Sequence, residues 1–429
     1  MRKIVAGTLL LFLGSPALAA EPTLKAPDGF HLERFSVPAG LDKFAPVSAD
    51  AAVFAGNGKT ARVVRLNLAD GGLQTIAENI PREILSVSEA GGETIISFPG
   101  RISKIGPGKI VDLVQGLPIG DYLNTPVDGK QDKLYFGQGT VTNSGVVGPD
   151  NAWLGHAPSL HDLPCRQADL SGLNVTTDNF LTAKKQDTAT TGSYMSFNAP
   201  ASRGNSAGFL KCSGAVYNMS PDGSALGVYA WGFHVPQVTV ADSGQVWVLD
   251  RAMEERGSRP IPGGQDSIWR VEKNGWYGWP DYQAGVRVPG PWVFAADPAA
   301  VAKPFLSLPK GKYLSFLVSP DNFLRNRGVA VSGGGLELVN LENGDITPLL
   351  SLPEGMKITD AKFGPGGFYF LVSQGGGGAS LFRLNPDVRG AVSGSTRKGT
   401  VTWPWAINGL LLGIGVTVYF LLKRPPRMA

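Results

Sequence analysis

The 429-residue chain has only two cysteines and four histidines, and 17% of its residues are charged. Each shortage excludes something. There is no C-x-x-C-H, so no haem is attached covalently. The histidines are scattered and lack the spacing of a zinc site. Net charge is +4, part of it in the terminal segments, and no basic stripe with interleaved aromatics appears. That argues against nucleic acid as a partner. No Pro/Ser-rich linker divides the central part of the chain.

What is abundant is glycine (57) and proline (32), beside a hydrophobic share of 43%. Disorder requires low hydrophobicity, so the composition points to many short strands joined by tight turns.

The two ends predict the compartment. Arg2 and Lys3, the apolar run Ile4 to Leu13, and Ala17-Leu-Ala19 have the order of a secretory signal peptide over residues 1–19. The run is shorter than the roughly 20 residues of a bilayer span. Near the other end, Trp403 and Trp405 lead into an almost wholly apolar stretch to Leu422, followed by Lys423, Arg424 and Arg427. A transmembrane helix over 403–422 with a cytoplasmic tail at 423–429 is the expectation. Residues 393–402 read as a linker. The body, 20–392, then sits in the periplasm on the inner membrane. Cys165 and Cys212 in an oxidising compartment are read as a disulfide, worth about 3–4 kcal/mol on the chain-entropy model; two buried thiols are the alternative.

Two sequence units recur. Arg62 to Ala77, Gly214 to Ala230 and Gly335 to Leu350 each read as strand, Asp/Asn-Gly turn, strand, and the turns suit two-residue hairpins. Asp128 to Phe136, Asp242 to Leu249 and Phe363 to Leu371 each read as a turn followed by an apolar strand. Their alternation predicts an all-β chain, a β-propeller of about six blades, against the alternative of a sandwich array. Residues 149–211 break the pattern. Rich in Thr, Asn, Asp and Ala, they read as a long loop insertion capping one face.

Several segments resemble one family. They are Gly137-Gln-Gly-Thr-Val-Thr-Asn-Ser-Gly145, His161-Asp-Leu-Pro-Cys165, Asn179-Phe-Leu-Thr182, Thr188-Ala-Thr-Thr-Gly192, Arg256-Gly-Ser-Arg-Pro260 and Gly275-Trp-Tyr-Gly-Trp-Pro280. In order and spacing they are similar to the glucose/sorbosone dehydrogenases, most closely the L-sorbosone dehydrogenase branch. The resemblance covers residues 118–282 well and the rest loosely. It implies a six-bladed propeller that carries pyrroloquinoline quinone and calcium and oxidises an aldose or sugar aldehyde in the periplasm.

Such chemistry needs a base for the substrate hydroxyl, a cation beside the quinone oxygen and basic side chains for a tricarboxylate. By resemblance Arg251, Arg256 and Arg259 line the cofactor pocket, or else are solvated loop arginines. Ala252 and Met253 lie in the segment whose carbonyls hold calcium. Asp266 holds a second calcium or caps the turn before Ile268. The family's Gly-Leu-Arg-Asn-Pro resembles Gly232-Phe-His-Val-Pro236, so His234 stands where the family has Arg, and Val235 where it has Asn. The stretch Gly120 to Thr125 has no counterpart of the family's histidine, and Asp121 is the nearest candidate base. Two functions therefore follow: a membrane-anchored oxidoreductase with His234 and Asp121 as catalytic residues, or a propeller without redox chemistry that binds a ligand or protein partner.

Overall fold

The computed structural model describes residues 24–387 apart from 91, 107, 131, 183, 185 and 375–377. The signal peptide, linker and transmembrane helix expected from the sequence lie outside these residues. Among the described residues no helix is long and apolar enough to cross a membrane.

Six four-stranded antiparallel sheets follow one another along the chain. Blade I holds Lys43–Ser48, Ala51–Asn57, Ala61–Asn67 and Leu73–Ile80. Blade II holds Ser86–Ala90, Glu93–Phe98, Arg101–Gly106 and Lys109–Gln115. Blade III holds Asp128–Lys130, Lys133–Gln138, Ala215–Met219 and Gly227–Trp231. Blade IV holds Pro236–Val240, Val246–Asp250, Asp266–Val271 and Leu306–Leu308. Blade V holds Tyr313–Val318, Arg327–Ser332, Gly335–Asn340 and Ile346–Ser351. Blade VI takes Met356–Gly364, Gly367–Gln374 and Ala379–Pro386 from one end of the chain and Phe30–Val37 from the other. In that last sheet Phe30 pairs with Pro386 and Val37 with Ala379. The outermost strand thus comes from the start of the chain and closes the ring, which leaves the propeller without a loose joint.

Packing explains why the inner strands do not alternate. A blade is covered on both faces by its neighbours, so the second strand of blades I and IV is buried on both sides. Ala51–Asn57 is buried except at its last residue, and Val246–Asp250 is buried up to Asp250. The outermost strand is far more exposed, as in Leu73–Ile80 of blade I, where only Ile80 is buried, and a strict alternation appears in Asn174–Asp178 of the insertion. Each junction between blades has its own apolar cluster. Phe54 and Leu371 belong to the junction of blades VI and I, Ile95 and Phe136 to that of II and III, and Trp247 and Phe316 to that of IV and V.

The turns differ from expectation. Asn67 and Asn340 open longer loops than two-residue hairpins. Gly71 donates to the Asn67 carbonyl at 2.9 Å, and Gly344 donates to the Asn340 carbonyl at 2.9 Å. Only the glycines, at φ of 75° and 80°, take the left-handed conformation. The asparagine side chains cap the same loops, Asn67 Oδ1 accepting from Ala69 and Asn340 Oδ1 from Glu342.

Blade III contains the large excursion. Between Lys133–Gln138 and Ala215–Met219 the chain leaves the blade and builds two small ladders. Ala168–Leu170 pairs with Gly204–Ser206, and Asn174–Asp178 pairs with Thr188–Gly192. The Cys165–Cys212 disulfide joins its two arms, with a Cα–Cα distance of 5.0 Å. In blade IV a second excursion, residues 272–305, carries the short ladder of Tyr282–Gln283 with Val286–Arg287. The two excursions are stitched together. Ala295 donates to the Asp169 carbonyl at 2.8 Å and Ser171 to the Val293 carbonyl at 2.9 Å.

Candidate functional site

Antiparallel order decides which loops meet. The start of an innermost strand and the end of the second strand lie on the same rim. Residues 120–125 precede the inner strand of blade III, and 139–162 follow its second strand. His234 and Val235 precede the inner strand of blade IV, and 251–265 follow its second strand. Four loops therefore share one rim of the ring; Asp121, His234, Arg251, Ala252, Met253, Arg256 and Arg259 lie on them, and Asp266 opens the third strand of blade IV beside them.

The loop backbones touch. Asp121 donates its N–H to Val141 O at 2.9 Å, and Tyr122 to Thr140 O at 3.2 Å. Gly120 makes this approach possible, since a Cβ there would lie 2.3 Å from Val141 Cα. Asp162, buried in the insertion, fixes the other side by accepting from Val141 N at 2.7 Å and Thr142 N at 3.0 Å. Desolvation raises its carboxyl to about 6 despite the Thr142 and backbone bonds.

On this frame Asp121 and Arg256 meet at 2.9 Å. Asp121 also accepts from Asn151 Nδ2 at 2.9 Å and Trp153 Nε1 at 2.8 Å. Arg256 donates to Asp150 at 2.5 Å, to the Tyr122 hydroxyl at 2.8 Å and to Glu254. Tyr122 in turn donates to Glu254 at 3.1 Å, and burial pushes its hydroxyl well above the ordinary value. Asn143 clamps the loop by accepting from Glu254 N and donating to Glu254 O, both at 2.7 Å. One guanidinium thus serves three carboxylates and a phenol.

His234 joins this cluster through packing. Its ring meets that of Tyr122 edge-on at 4.3 Å. It is 2% exposed, and Nδ1 lies 3.2 Å from the Arg251 carbonyl. Desolvation lowers its pKa to about 4, so the ring is neutral at physiological pH. Asp250 accepts the backbone N–H of His234 at 3.0 Å and of Val235 at 2.7 Å. Val235 therefore contributes its backbone, and its side chain needs no polar role. Desolvation raises Asp250 to about 7, with the two backbone bonds pulling the other way.

The other predicted residues have structural partners. Arg251 donates to Asp266 at 3.1 Å and to the carbonyls of Tyr313 and Leu314. Asp266, 1% exposed, also accepts from Ala252 N and Gly311 N, both at 2.9 Å. The Met253 carbonyl accepts from Lys310 Nζ at 3.3 Å. Arg259 lies inside, 5% exposed. It donates to Asp281 at 2.8 Å and to the carbonyls of Ser144, Pro280 and Pro291. Asp121, His234 and Arg256 come together, while Arg259 is drawn into the interior and Arg251 and Asp266 turn towards blade V. Sequence reading missed Tyr122, Asp150 and Glu254, whose only signal was nearness to Asp121 and Arg256; it placed Asp250 in the segment expected to offer carbonyls to calcium, whereas its side chain holds the backbone of His234 and Val235.

These residues do not fit a tricarboxylate quinone with calcium. Every arginine proposed for the anion is engaged by carboxylates or carbonyls, and the Met253 carbonyl faces an ammonium group. Around Arg256, Asp121, Asp150 and Glu254 outnumber the single cation, which repels a further anion. Among the described residues no group of three or more His, Cys, Asp or Glu could hold a metal ion.

Open space lies at the other end of the inner strands. A cavity of about 690 Å3 occupies the channel mouth where these strands end, with Lys130, Asp242, Asp360, Lys362, Phe323 and Phe363 in its wall. Lys130 pairs with Asp242 at 2.6 Å and Lys362 with Asp360 at 2.8 Å.

The sheets define a six-bladed β-propeller. No protein-family model matches the chain, and no curated protein matches it. Among solved structures it is similar to a chain from Thermus thermophilus provisionally labelled an oxidoreductase (glucose dehydrogenase), at 14% identity and a TM-score of 0.49, over 83% of this chain and 100% of that one. It is also similar to a gluconolactonase from Xanthomonas campestris, at 14% identity and a TM-score of 0.44, over 84% and 91% of the two chains. A chain of the nidogen/laminin complex matches at 9% identity and a TM-score of 0.39, over 76% and 94%. At these identities and scores the likenesses support no assignment of activity.

Proposed function

We propose that this chain is a periplasmic propeller, tethered to the inner membrane through 403–422, that binds a small polar ligand or a protein partner and does not carry out quinone-dependent sugar oxidation. One observation carries this reading: Arg256, with Asp121, Asp150, Glu254 and Tyr122, forms a closed network where the resemblance expects catalytic and cofactor groups. A base must be within reach of the substrate proton. Asp121 already accepts from three side chains, and the ring of His234 is buried. The channel mouth, where ion pairs alternate with Phe323 and Phe363, offers a small molecule both donors and acceptors on an aromatic wall.

The test is a titration of the full-length protein in detergent with pyrroloquinoline quinone and calcium, followed by dye reduction with aldoses and sugar aldehydes. The expected result is neither saturable binding at micromolar quinone nor sugar-dependent reduction; either signal would overturn the reading. An oxidoreductase remains the second reading, favoured by the order of the segments between residues 118 and 282. Assignment of the ligand to the channel is tested separately. A molecule that stabilises the protein should lose its effect when Lys130 and Lys362 are both replaced by alanine, and unchanged binding would place it elsewhere.

A further inference from the structure

Four buried polar atoms without protein partners gather inside blade IV. They are His234 Nε2, Ser267 Oγ, Trp269 Nε1 and Gln283 Nε2. All four residues line one small cavity, which also has Asp250 in its wall. His234, Ser267 and Trp269 are each 2% exposed or less. A buried polar group left unpaired is destabilising, and native interiors leave few. The cavity admits about 10 Å3 to the centre of a water molecule, roughly the room of one water.

The side-chain chemistry selects the occupant. The Trp269 indole is a donor only, and Gln283 presents its amide nitrogen. His234 Nδ1 faces the Arg251 carbonyl at 3.2 Å, and a carbonyl accepts, so Nδ1 carries the proton and Nε2 offers a lone pair. Ser267 can take either role. Two fixed donors, one fixed acceptor and one ambivalent hydroxyl complement a molecule that donates two hydrogen bonds and accepts two. A cation would face the N–H groups of Trp269 and Gln283. An anion would face the His234 lone pair and Asp250.

We propose that this cavity is a built site for a single water, bound by His234, Ser267, Trp269 and Gln283. The water joins three segments: the loop entering blade IV, its third strand and the excursion that follows. His234 is then a positioning residue, holding the edge on which the Tyr122 ring packs.

Two measurements test it on the full-length chain. A crystal structure that orders its waters should show one water within hydrogen-bond reach of all four atoms. Nitrogen-15 labelling of the four histidines should show one buried ring protonated at Nδ1 and not at Nε2. Absence of that water, an ion or side chain in its place, or the opposite tautomer overturns the proposal. Ser267→Ala should speed hydrogen exchange of the Trp269 indole about tenfold, on the scale of one ordinary hydrogen bond. Unchanged exchange would mean that the hydroxyl takes no part and would also overturn it.

Discussion

Blades I, II, V and VI differ from blades III and IV in how their connections are satisfied. In the four plain blades turns of two to five residues close every hairpin except the first of blade V, closed by residues 319–326, and the chain meets its next partner within the same ladder. In blades III and IV the chain leaves the ladder for long excursions, and buried aspartates take over as acceptors for the backbone. Asp162 serves the N–H groups of Val141 and Thr142, and Asp250 those of His234 and Val235. Asp266 serves Ala252 and Gly311, and Asp281 serves Val293 and Phe294. A carboxylate can accept several N–H bonds at once, so it can organise irregular backbone where a strand partner is missing. Acidic residues near an apparent active site can therefore be scaffolding for its loops.

The largest expected effect distinguishes the two regions most sharply. Arg259→Ala leaves Asp281, which is 0% exposed, without its charged partner. Breaking a buried pair this way costs roughly 3–5 kcal/mol, as much as removing a core ring such as Phe370 from the plain blades, where Phe→Ala costs about 3–5 kcal/mol. Denaturant unfolding measures both. A loss under about 1 kcal/mol for Arg259→Ala would show that the elaborated blades do not rest on their ionic staples.

Next comes the covalent staple. The disulfide spans 47 residues, and its removal by Cys165→Ser with Cys212→Ser should cost about 2–4 kcal/mol. Proteolysis should then begin between residues 166 and 211 before any cut in blades I, II, V or VI. Cleavage appearing first in the plain blades would reverse the proposed order of stability.

The same contrast governs what the sequence revealed. The plain blades were legible because each repeats a strand and a Gly-marked turn. Asn67 to Gly71 and Asn340 to Gly344 are copies of one loop, although its length was misjudged because Asn-Gly also suits the shorter hairpin. Cys165 and Cys212 marked the arms of the insertion. The candidate rim was only half legible. Asp121, His234 and Arg256 were found together because they fall on loops of adjacent blades. The roles of Asp162, Asp250 and Asp281 were hidden, since accepting from backbone N–H leaves no pattern in the chain. Arg259 was placed in a pocket because its neighbours resemble a cofactor loop. Its burial depends on Asp281, which lies far along the chain on the excursion of residues 272–305.

A smaller effect should appear in the pH dependence of stability. Asp250 rises from its ordinary 3.8 to about 7 in the fold. Between those values the folded state holds the extra proton, so this group's contribution to stability is lost as pH rises through the window. His234 falls from 6.5 to about 4. There the unfolded state holds the extra proton, and stability is lost as pH falls through that window. The two oppose each other. Asp250→Asn removes the first, so the variant should gain on the wild type by about 2 kcal/mol between pH 5 and pH 8. Unfolding midpoints that stay parallel across this range would rule out a buried, titrating Asp250.

The smallest effect concerns the residue with the strongest claim to catalysis. Asp121→Asn keeps an oxygen for Asn151 or Trp153 but removes a negative charge from Arg256. Arg256 retains Asp150 and Glu254, so the guanidinium is not left unpaired. Its partly exposed position further weakens the loss, and the expected change is about 1 kcal/mol or less. If Asp121 is scaffolding, ligand binding at the channel mouth should be unaffected, because that cavity lies at the opposite end of the inner strands. If Asp121 were instead a base, the amide would abolish any sugar oxidation while leaving the fold almost unchanged. A large loss of turnover with an intact unfolding midpoint would therefore assign chemistry to this rim and return the network to the status of an active site.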